Sequence, residues 1–383
     1  MKTILLAISG SIAFYKAYEL ISLFKKEGFK VKVLLSNGVL KFASKLSFEA
    51  LADAVLCEEN ESWKNEFNHI KFSKDVDVVL FAPASVNSIN KLALGICDNL
   101  FVQTLIATKA KLIIAPAANT AMYEHFSTQN SLKTLAKTAT IISPIKKTLA
   151  CKDEGLGALA ELSDIFNITK KELLKTKFWQ DKKVVITGGA SSEKIDDVRC
   201  VSNFSSGKMA KCIADAFYFS GARVIFLSSN EYKMPYEIYK FQSSSELKKL
   251  LNEHLDGEFL IMCAAVSDFV PEYKKGKIKK SENLKSLNLS LKPNEDLLKN
   301  IKFKGKKIGF KMEFDKENAL QNAQNALLEK GLDMICLNVL GKENSFGSEK
   351  NELSFITKQN LVKSGLKSKE KLGFELVKMC EML

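Results

Sequence analysis

"KVVITGGASSEKIDDVRCVSNFSSGKMA", residues 183–210, decides how this 383-residue chain is built. It opens as an apolar, β-branched run of strand character and stops at the small residues Thr187, Gly188 and Gly189. Its end, Ser205 to Met209, leads into apolar residues of helical period over 206–220. A strand, a glycine turn and a helix in that order start an open α/β sheet. Downstream, strand-like runs at 222–229, 257–269, 306–314 and 332–340 alternate with helical stretches. Upstream the same rhythm has already run once: "KTILLAIS" (2–9) reads as a strand and 12–27 as a helix. "KVKVLLS" (30–36) and the runs at 75–83, 110–116 and 138–144 are further strands, with a last helix over 163–176. A chain of this length exceeds one average domain, so two doubly wound α/β domains are expected, at 1–176 and 183–383, with a charged linker at 177–182. The halves are not an evident repeat. Each nevertheless carries a small-residue turn at the carboxyl end of its first strand, where open α/β sheets bind ligands. Two turns imply two sites.

The composition, 46% hydrophobic and 26% charged, suits two ordinary buried cores. No apolar run reaches the length of a membrane span, and Met1-Lys2 pass straight into the first strand without a cleavage site. A soluble cytoplasmic protein with no membrane partner is therefore expected. The eight cysteines are scattered, with no CxxC pair and no metal-like His/Cys spacing, which fits reduced thiols packed as small hydrophobes. The net charge of +13 raises the question of nucleic acid. Its lysines spread along helices without interleaved aromatics, so no nucleic-acid partner is expected. The excess reads instead as a basic surface, with a few positions suited to phosphorylated small molecules.

The first turn, "SGSIAFYKAYEL" (9–20), lacks GxGxxG, so a nicotinamide dinucleotide is not its expected ligand. Ser9, Gly10 and Ser11 before a helix suit a monophosphate. Ser36 ends the second strand, Ser85 and Asn87 follow the third, and Asn119 follows the next. "APASVNSINKLALGICDNL" (82–100), "PAANTAMY" (116–123) and "NHI" (68–70) resemble the homo-oligomeric flavin-containing cysteine decarboxylases, and among them the phosphopantothenoylcysteine decarboxylases. The resemblance implies a flavodoxin-like flavoprotein domain with FMN at Gly10, Ser11, Ser36, Ser85 and Asn87. It implies a catalytic His69, a substrate-carboxylate site at Asn119 with Met122 beside it, and a proton-donating Cys151 on the flap "LACKDEGLG" (149–157). Such a carboxylate resists loss of CO₂ because the carbanion left behind has no electron sink, and a flavin acting on the thiol side supplies one. Three departures stand out. Ala118 replaces the methionine of PxMN, Lys152 replaces the glycine of ACGDxGxGRM, and Ala158-Leu159 replace its Arg-Met, read here as altered packing around an intact site.

The stretch quoted first resembles the phosphopantothenate–cysteine ligase domain, ITxGxTxExIDxVRxxxNxSSGKMG. The likeness continues through "MCAAVSDF" (262–269), "KIKK" (277–280) and "LDMICLN" (332–338). It implies a Rossmann-like domain that activates a carboxylate with CTP. Gly188, Gly189 and the 205–209 loop would offer backbone N–H groups and Lys208 to the triphosphate. Arg199 and Asn203 are implied for phosphopantothenate and the activated intermediate, with Asn203 catalytic. Met262, Cys263, Ala264, Asp268, Phe310 and Lys330 are implied for the nucleotide, and Lys277 for charge neutralisation during transfer. Outside the motif, Lys277 would read as a solvated lysine and Asp268 as a turn carboxylate. Ala326 stands where a second basic nucleotide contact is usual, a loss that weakens binding modestly if that charge sits on a rim. Mg²⁺ is expected with the triphosphate, held by phosphate oxygens, so no residues are assigned to it.

Together the halves resemble the bifunctional coenzyme A biosynthesis family. That implies ligation of 4′-phosphopantothenate with L-cysteine, then decarboxylation to 4′-phosphopantetheine. It also implies a homo-oligomer, a dodecamer built from flavoprotein trimers and ligase dimers. Two other readings compete. A flavoprotein acting on other cysteine substrates would not need the complete second half, and a regulatory flavoprotein without catalysis would not need His69, Asn119 and Cys151 together.

Overall fold

All six residues of the strand Thr3–Ile8 (β1) are buried, as a parallel strand covered on both faces requires. The computed structural model describes residues 1–150, 152–279, 287–341, 344–345 and 347–383. The chain divides into two units, Met1–Leu173 and Leu174–Leu383. In the first, β1 lies between Lys30–Leu35 (β2) and Val78–Ala84 (β4). Ala54–Leu56 (β3), Lys111–Pro116 (β5) and Thr140–Ile141 (β6) complete a parallel sheet of order β3-β2-β1-β4-β5-β6. Leu5 and Ala7 pack with Ile89, Phe101 and Leu132 from helices Val86–Leu94, Leu100–Ala107 and Phe126–Leu135. The helix expected at 12–27 begins as a 3₁₀ turn, Ile12–Tyr15, capped by Ser11, and becomes α-helical over Lys16–Lys26. An antiparallel hairpin, Ile145–Thr148 (β7) and Glu154–Ala158 (β8), flanks the flap.

The second unit is built on Lys183–Gly188 (β9). A short hairpin follows, Ser192–Lys194 (β10) with Cys200–Ser202 (β11), then Arg223–Ser228 (β12), Glu237–Lys240 (β13) and Phe259–Met262 (β14). Phe269–Pro271 (β15) pairs with Leu291–Pro293 (β16), so the run expected as one strand over 257–269 is two elements. Lys306–Glu313 (β17), Met334–Val339 (β18), Lys350–Asn351 (β19), Ser354–Ile356 (β20) and Leu361–Lys363 (β21) follow. The main sheet runs β13-β12-β9-β14-β17-β18-β20-β21, parallel through β18 and antiparallel beyond it. Side chains of β9 alternate between two cores. Val184 and Ile186 join helices Lys208–Ser220 and Lys369–Cys380, while Val185 joins helices Ser244–Glu253 and Ala319–Glu329.

Both sheets therefore start their strand order at an inner strand and reverse beside it, between β1 and β4 and between β9 and β14. At that reversal the connecting helices leave on opposite faces, and a crevice opens over the carboxyl ends of the strands.

The charged run expected as a linker at 177–182 differs in one residue. Trp179 is wholly buried in the second unit, with its ring centroid 4.8 Å from Phe217 and 4.9 Å from Phe259. Lys182 Nζ lies 3.2 Å from the Phe178 ring centroid, so the flanking lysine covers an aromatic anchor instead of marking free chain. Trp179→Ala is expected to destabilise the second unit by about 3–5 kcal/mol, measured as a lowered denaturation midpoint with the signals of the first unit unchanged.

Candidate functional sites

The first unit holds a cavity of about 1150 Å³ at its strand reversal. Gly10, Ser11, Ser36, Ser85, Asn87, Asn119 and Met122, all singled out from the sequence, line it. Ser9 does not. It is fully buried, donating its hydroxyl to Pro83 O at 3.0 Å and accepting from Ser85 N–H at 2.7 Å, so it fixes the loop that presents Ser85. Gly10 and Gly38 pass so closely that a Cβ on Gly10 would lie 2.9 Å from the Gly38 backbone, which lets the two turns share one wall. Ser36 Oγ is buried without a hydrogen-bond partner among the described residues. Asn119 Oδ1 accepts from Ala121 N–H at 2.9 Å, which orients the carboxamide. Lys16, Lys91 and Lys147 also line it and bring cations, none of them singled out from the sequence as a site residue. Lys91 is paired with Asp98 at 2.5 Å and its hydrogen bond holds that carboxyl below the ordinary range.

The flap packs on this wall. Ala118 N–H donates to Gly157 O at 2.9 Å, and a Cβ on Gly157 would stand 2.2 Å from Ala118 O. Lys152, where the family pattern has glycine, takes φ +70°, a left-handed conformation that explains why glycine is usual there. Ala158 and Leu159 line the cavity. Cys151 lies outside the described residues. His69 is not brought to the cavity of its own unit. It stands on a short helix capped by Asn68, its Nδ1 3.4 Å from Glu61 Oε1 and its ring edge-on to Trp63.

In the second unit a cavity of about 880 Å³ opens over the ends of β14, β17 and β18, beside the start of the helix Lys208–Ser220. Met262, Cys263, Ala264, Asp268, Phe310 and Lys330 line it, as do Ser205, Ser206, Gly207 and Lys208. The expected contribution of Gly188 and Gly189 differs: neither lines the cavity. A Cβ on Gly188 would lie 2.5 Å from that of Ala210, so this residue allows the helix to pack on the strand end. Gly207, at φ +70°, turns the chain into the helix Lys208–Ser220. Hydroxyls pin the facing loop. Thr187 Oγ1 accepts from Cys263 N–H at 3.2 Å and Ala264 N–H at 3.1 Å, and Ser191 Oγ accepts from Ser267 N–H at 3.0 Å. Burial pushes the Cys263 thiol up to about 12, so it lines the wall as a neutral group. Lys330 pairs with Asp296 at 2.9 Å, and Asp296, Asn294 and Lys369 are cavity residues that no motif indicated. Ala326 also lines the wall.

Arg199, Asn203 and Lys277 do not line this cavity. Arg199 spans from Asp196 Oδ2, 2.7 Å from its Nη2, to Ile278 O at 2.6 Å. Asp197 accepts from Gly276 N–H at 2.8 Å and from the Tyr273 hydroxyl. The "IDDVR" turn thus clasps the loop that carries Lys277, whose side chain is exposed. Asn203 Nδ2 donates to Val266 O at 3.2 Å, one residue removed from the lining. Among the described residues no group of three or more His, Cys, Asp or Glu side chains could hold a metal ion.

Residues 1–174 match a family model described as Flavoprotein, and residues 179–383 match one described as DNA/pantothenate metabolism flavoprotein C-terminal domain. Three relatives extend across both units. The coenzyme A biosynthesis bifunctional protein CoaBC of Haemophilus influenzae is 32% identical, covering 98% of this chain and 96% of its own. That of Borreliella burgdorferi is 33% identical, covering 99% and 98%. That of Bacillus subtilis is 32% identical, covering 98% and 96%.

The clasp has a pH signature. Burial opposes ionisation of Asp196, but N–H donation from Val198, Ile278 and Arg199 and the Arg199 side chain outweigh it and hold its pKa at about 2, against an ordinary 3.8. A carboxyl depressed in the folded state contributes stability above its unfolded pKa and loses it as pH falls through the folded one. The 273–279 loop is therefore expected to stay docked above about pH 4 and to release between about pH 4 and 2. Hydrogen-exchange protection of the Gly276 and Ile278 amides should fall over that window, and Asp196→Asn should lower it already at neutral pH.

Proposed function

The chain belongs to the bifunctional coenzyme A biosynthesis family, and from that premise we propose the reactions of its two cavities. It is a bifunctional enzyme, a decarboxylase joined to a ligase. The second unit joins 4′-phosphopantothenate to L-cysteine using CTP. The substrate carboxylate attacks the α-phosphorus, pyrophosphate leaves, and the cysteine amine then displaces CMP from the acyl-cytidylate. The first unit removes CO₂ from the resulting 4′-phosphopantothenoylcysteine and yields 4′-phosphopantetheine. The observation that carries this reading is that each unit opens a cavity at the carboxyl ends of its strands, lined by motif residues of its own half.

The first cavity suits FMN. Ser36 Oγ is a buried acceptor and donor awaiting a partner, Ser11 and Ser85 add hydroxyls, and Lys16 adds a cation for a phosphate. When bound, FMN supplies the reversible two-electron sink that decarboxylation needs. Asn119 holds the substrate carboxylate through a neutral amide, so no counter-ion opposes its departure as CO₂. Ala117, Ala118 and Met122 form an apolar wall that strips water from it. Cys151, on the flap, donates the proton. In the second cavity Phe310 would pack on the base and Met262 to Ala264 and Asp268 would face the nucleotide, with Mg²⁺ supplying charge neutralisation to the triphosphate when bound. The bacterial likeness favours CTP.

His69, Arg199, Asn203 and Lys277 are functional residues of the matched motifs that stand outside the cavities of their own chain. An oligomer of flavoprotein trimers and ligase dimers, a dodecamer, would deliver them to the cavities of neighbouring copies. Asn203 handles the activated intermediate there, Arg199 the acid substrate, and Lys277 the charge of nucleotidyl transfer.

Purified protein given FMN, Mg²⁺, CTP, cysteine and 4′-phosphopantothenate is expected to yield 4′-phosphopantetheine and CMP by mass spectrometry. Arrest at 4′-phosphopantothenoylcysteine would sink the decarboxylase half, and no product where the Haemophilus relative works would sink the whole. His69→Asn and Asn119→Ala should each cut decarboxylation by about 100-fold or more. Co-expressed, the two variants should recover part of the activity in mixed oligomers; no recovery would refute delivery of His69 across copies.

A further inference from the structure

The C-terminal helix begins with a lysine that neither motif includes. Lys369, the first residue of Lys369–Cys380, is only 7% exposed and lines the second cavity. Its backbone N–H donates to Glu349 O at 3.0 Å, but its ammonium makes no hydrogen bond or ion pair with a described residue. Lys208 lines the same cavity from the first position of the helix Lys208–Ser220. Burial lowers the pKa of Lys369 and the Lys208 charge lowers it further, while Glu349 pulls the other way. Glu349, however, is ion-paired to Lys208. Lys369 also acts on the Cys263 thiol, whose pKa it draws down against burial, so its field reaches the end of β14.

A buried ammonium beside a like charge is costly unless an anion joins it. Here the missing partner has a shaped place. Ser205, Ser206 and the left-handed Gly207 bring the N-terminus of a helix of 13 residues to the same cavity as both lysines. We propose that Lys369 is a phosphate-binding residue of the ligase site, closing with Lys208 and the 205–207 loop around a phosphoryl group of a substrate. The proposal rests on the ligase reading and extends it, because it gives the C-terminal helix a part in the chemistry. The phosphoryl group belongs either to the nucleotide tail or to the phosphomonoester of the acid, and the measurement separates the two.

The test uses the full chain with Lys369→Met and Lys369→Arg. Methionine keeps the length and apolar bulk, and loss of an unpaired buried charge should leave the Tm of the ligand-free chain equal or higher. By calorimetry, Lys369→Met is expected to bind inorganic pyrophosphate or inorganic phosphate at least about tenfold more weakly than the unaltered chain, with Lys369→Arg retaining most of the affinity. A raised KM for CTP alone assigns the group to the nucleotide tail; a raised KM for 4′-phosphopantothenate alone assigns it to the acid. The proposal is overturned if both KM values and both anion affinities are unchanged in Lys369→Met. It is equally overturned if both variants lose affinity together with a fallen Tm, which is the mark of a structural role. Should the unaltered chain form no CMP while its pyrophosphate affinity still drops in Lys369→Met, the ligase reading fails and the phosphate subsite stands.

Discussion

In both units a buried hydroxyl at the end of the first strand accepts backbone N–H groups from the loop leaving the strand beside it. Ser9 does this for Ser85, and Thr187 with Ser191 does it for Cys263, Ala264 and Ser267. The need is a consequence of topology. Where strand order reverses, the helices leave on opposite faces, and the two strand ends lose their ladder partners just where the crevice must stay open. Unsatisfied buried amides there would each cost about 1–3 kcal/mol. A short hydroxyl side chain satisfies them without filling the space. The floor of each cavity, and every residue the floor presents, depends on that pin.

The cavities diverge in what they place above the floor. The first offers hydroxyls and carboxamides together with its lysines, which suits a neutral ring carrying one phosphate. The second brings Lys208, Lys330 and Lys369 to one space and answers only some of that charge, through Glu349 and Asp296. Charge left unanswered in a walled site is available to a ligand at little cost of reorganisation.

Several motif residues of both halves stand away from these floors on locally braced segments. His69 is steadied by Glu61 and Trp63, and the Lys277 loop by Asp196, Asp197 and Arg199. Such bracing fixes the local backbone, with the His69 ring half-buried and the Lys277 side chain exposed. Arg199 illustrates the point: its guanidinium, a binding candidate by motif, spends its hydrogen bonds to described residues on its own fold.

What the sequence by itself determined was local and periodic. Fully apolar runs ended by small residues could only be two-faced parallel strands, and a turn of Ser, Gly or Thr after the first strand of each half marked both crevices. Serine, asparagine and glycine motifs named most of the cavity lining, because those segments meet at strand ends in a fixed order. Tertiary structure alone decided the rest. Gly188 and Gly189 looked like phosphate donors but serve packing, since a glycine's use depends on which atom approaches it. Trp179 hid in a charged run, because burial is set by neighbours far along the chain. Asp296 and Lys369 carry no local signal at all. They reach the second cavity only because the cap of the helix Leu297–Asn300 and the start of the C-terminal helix are both folded to it, and no spacing along the chain records that juxtaposition.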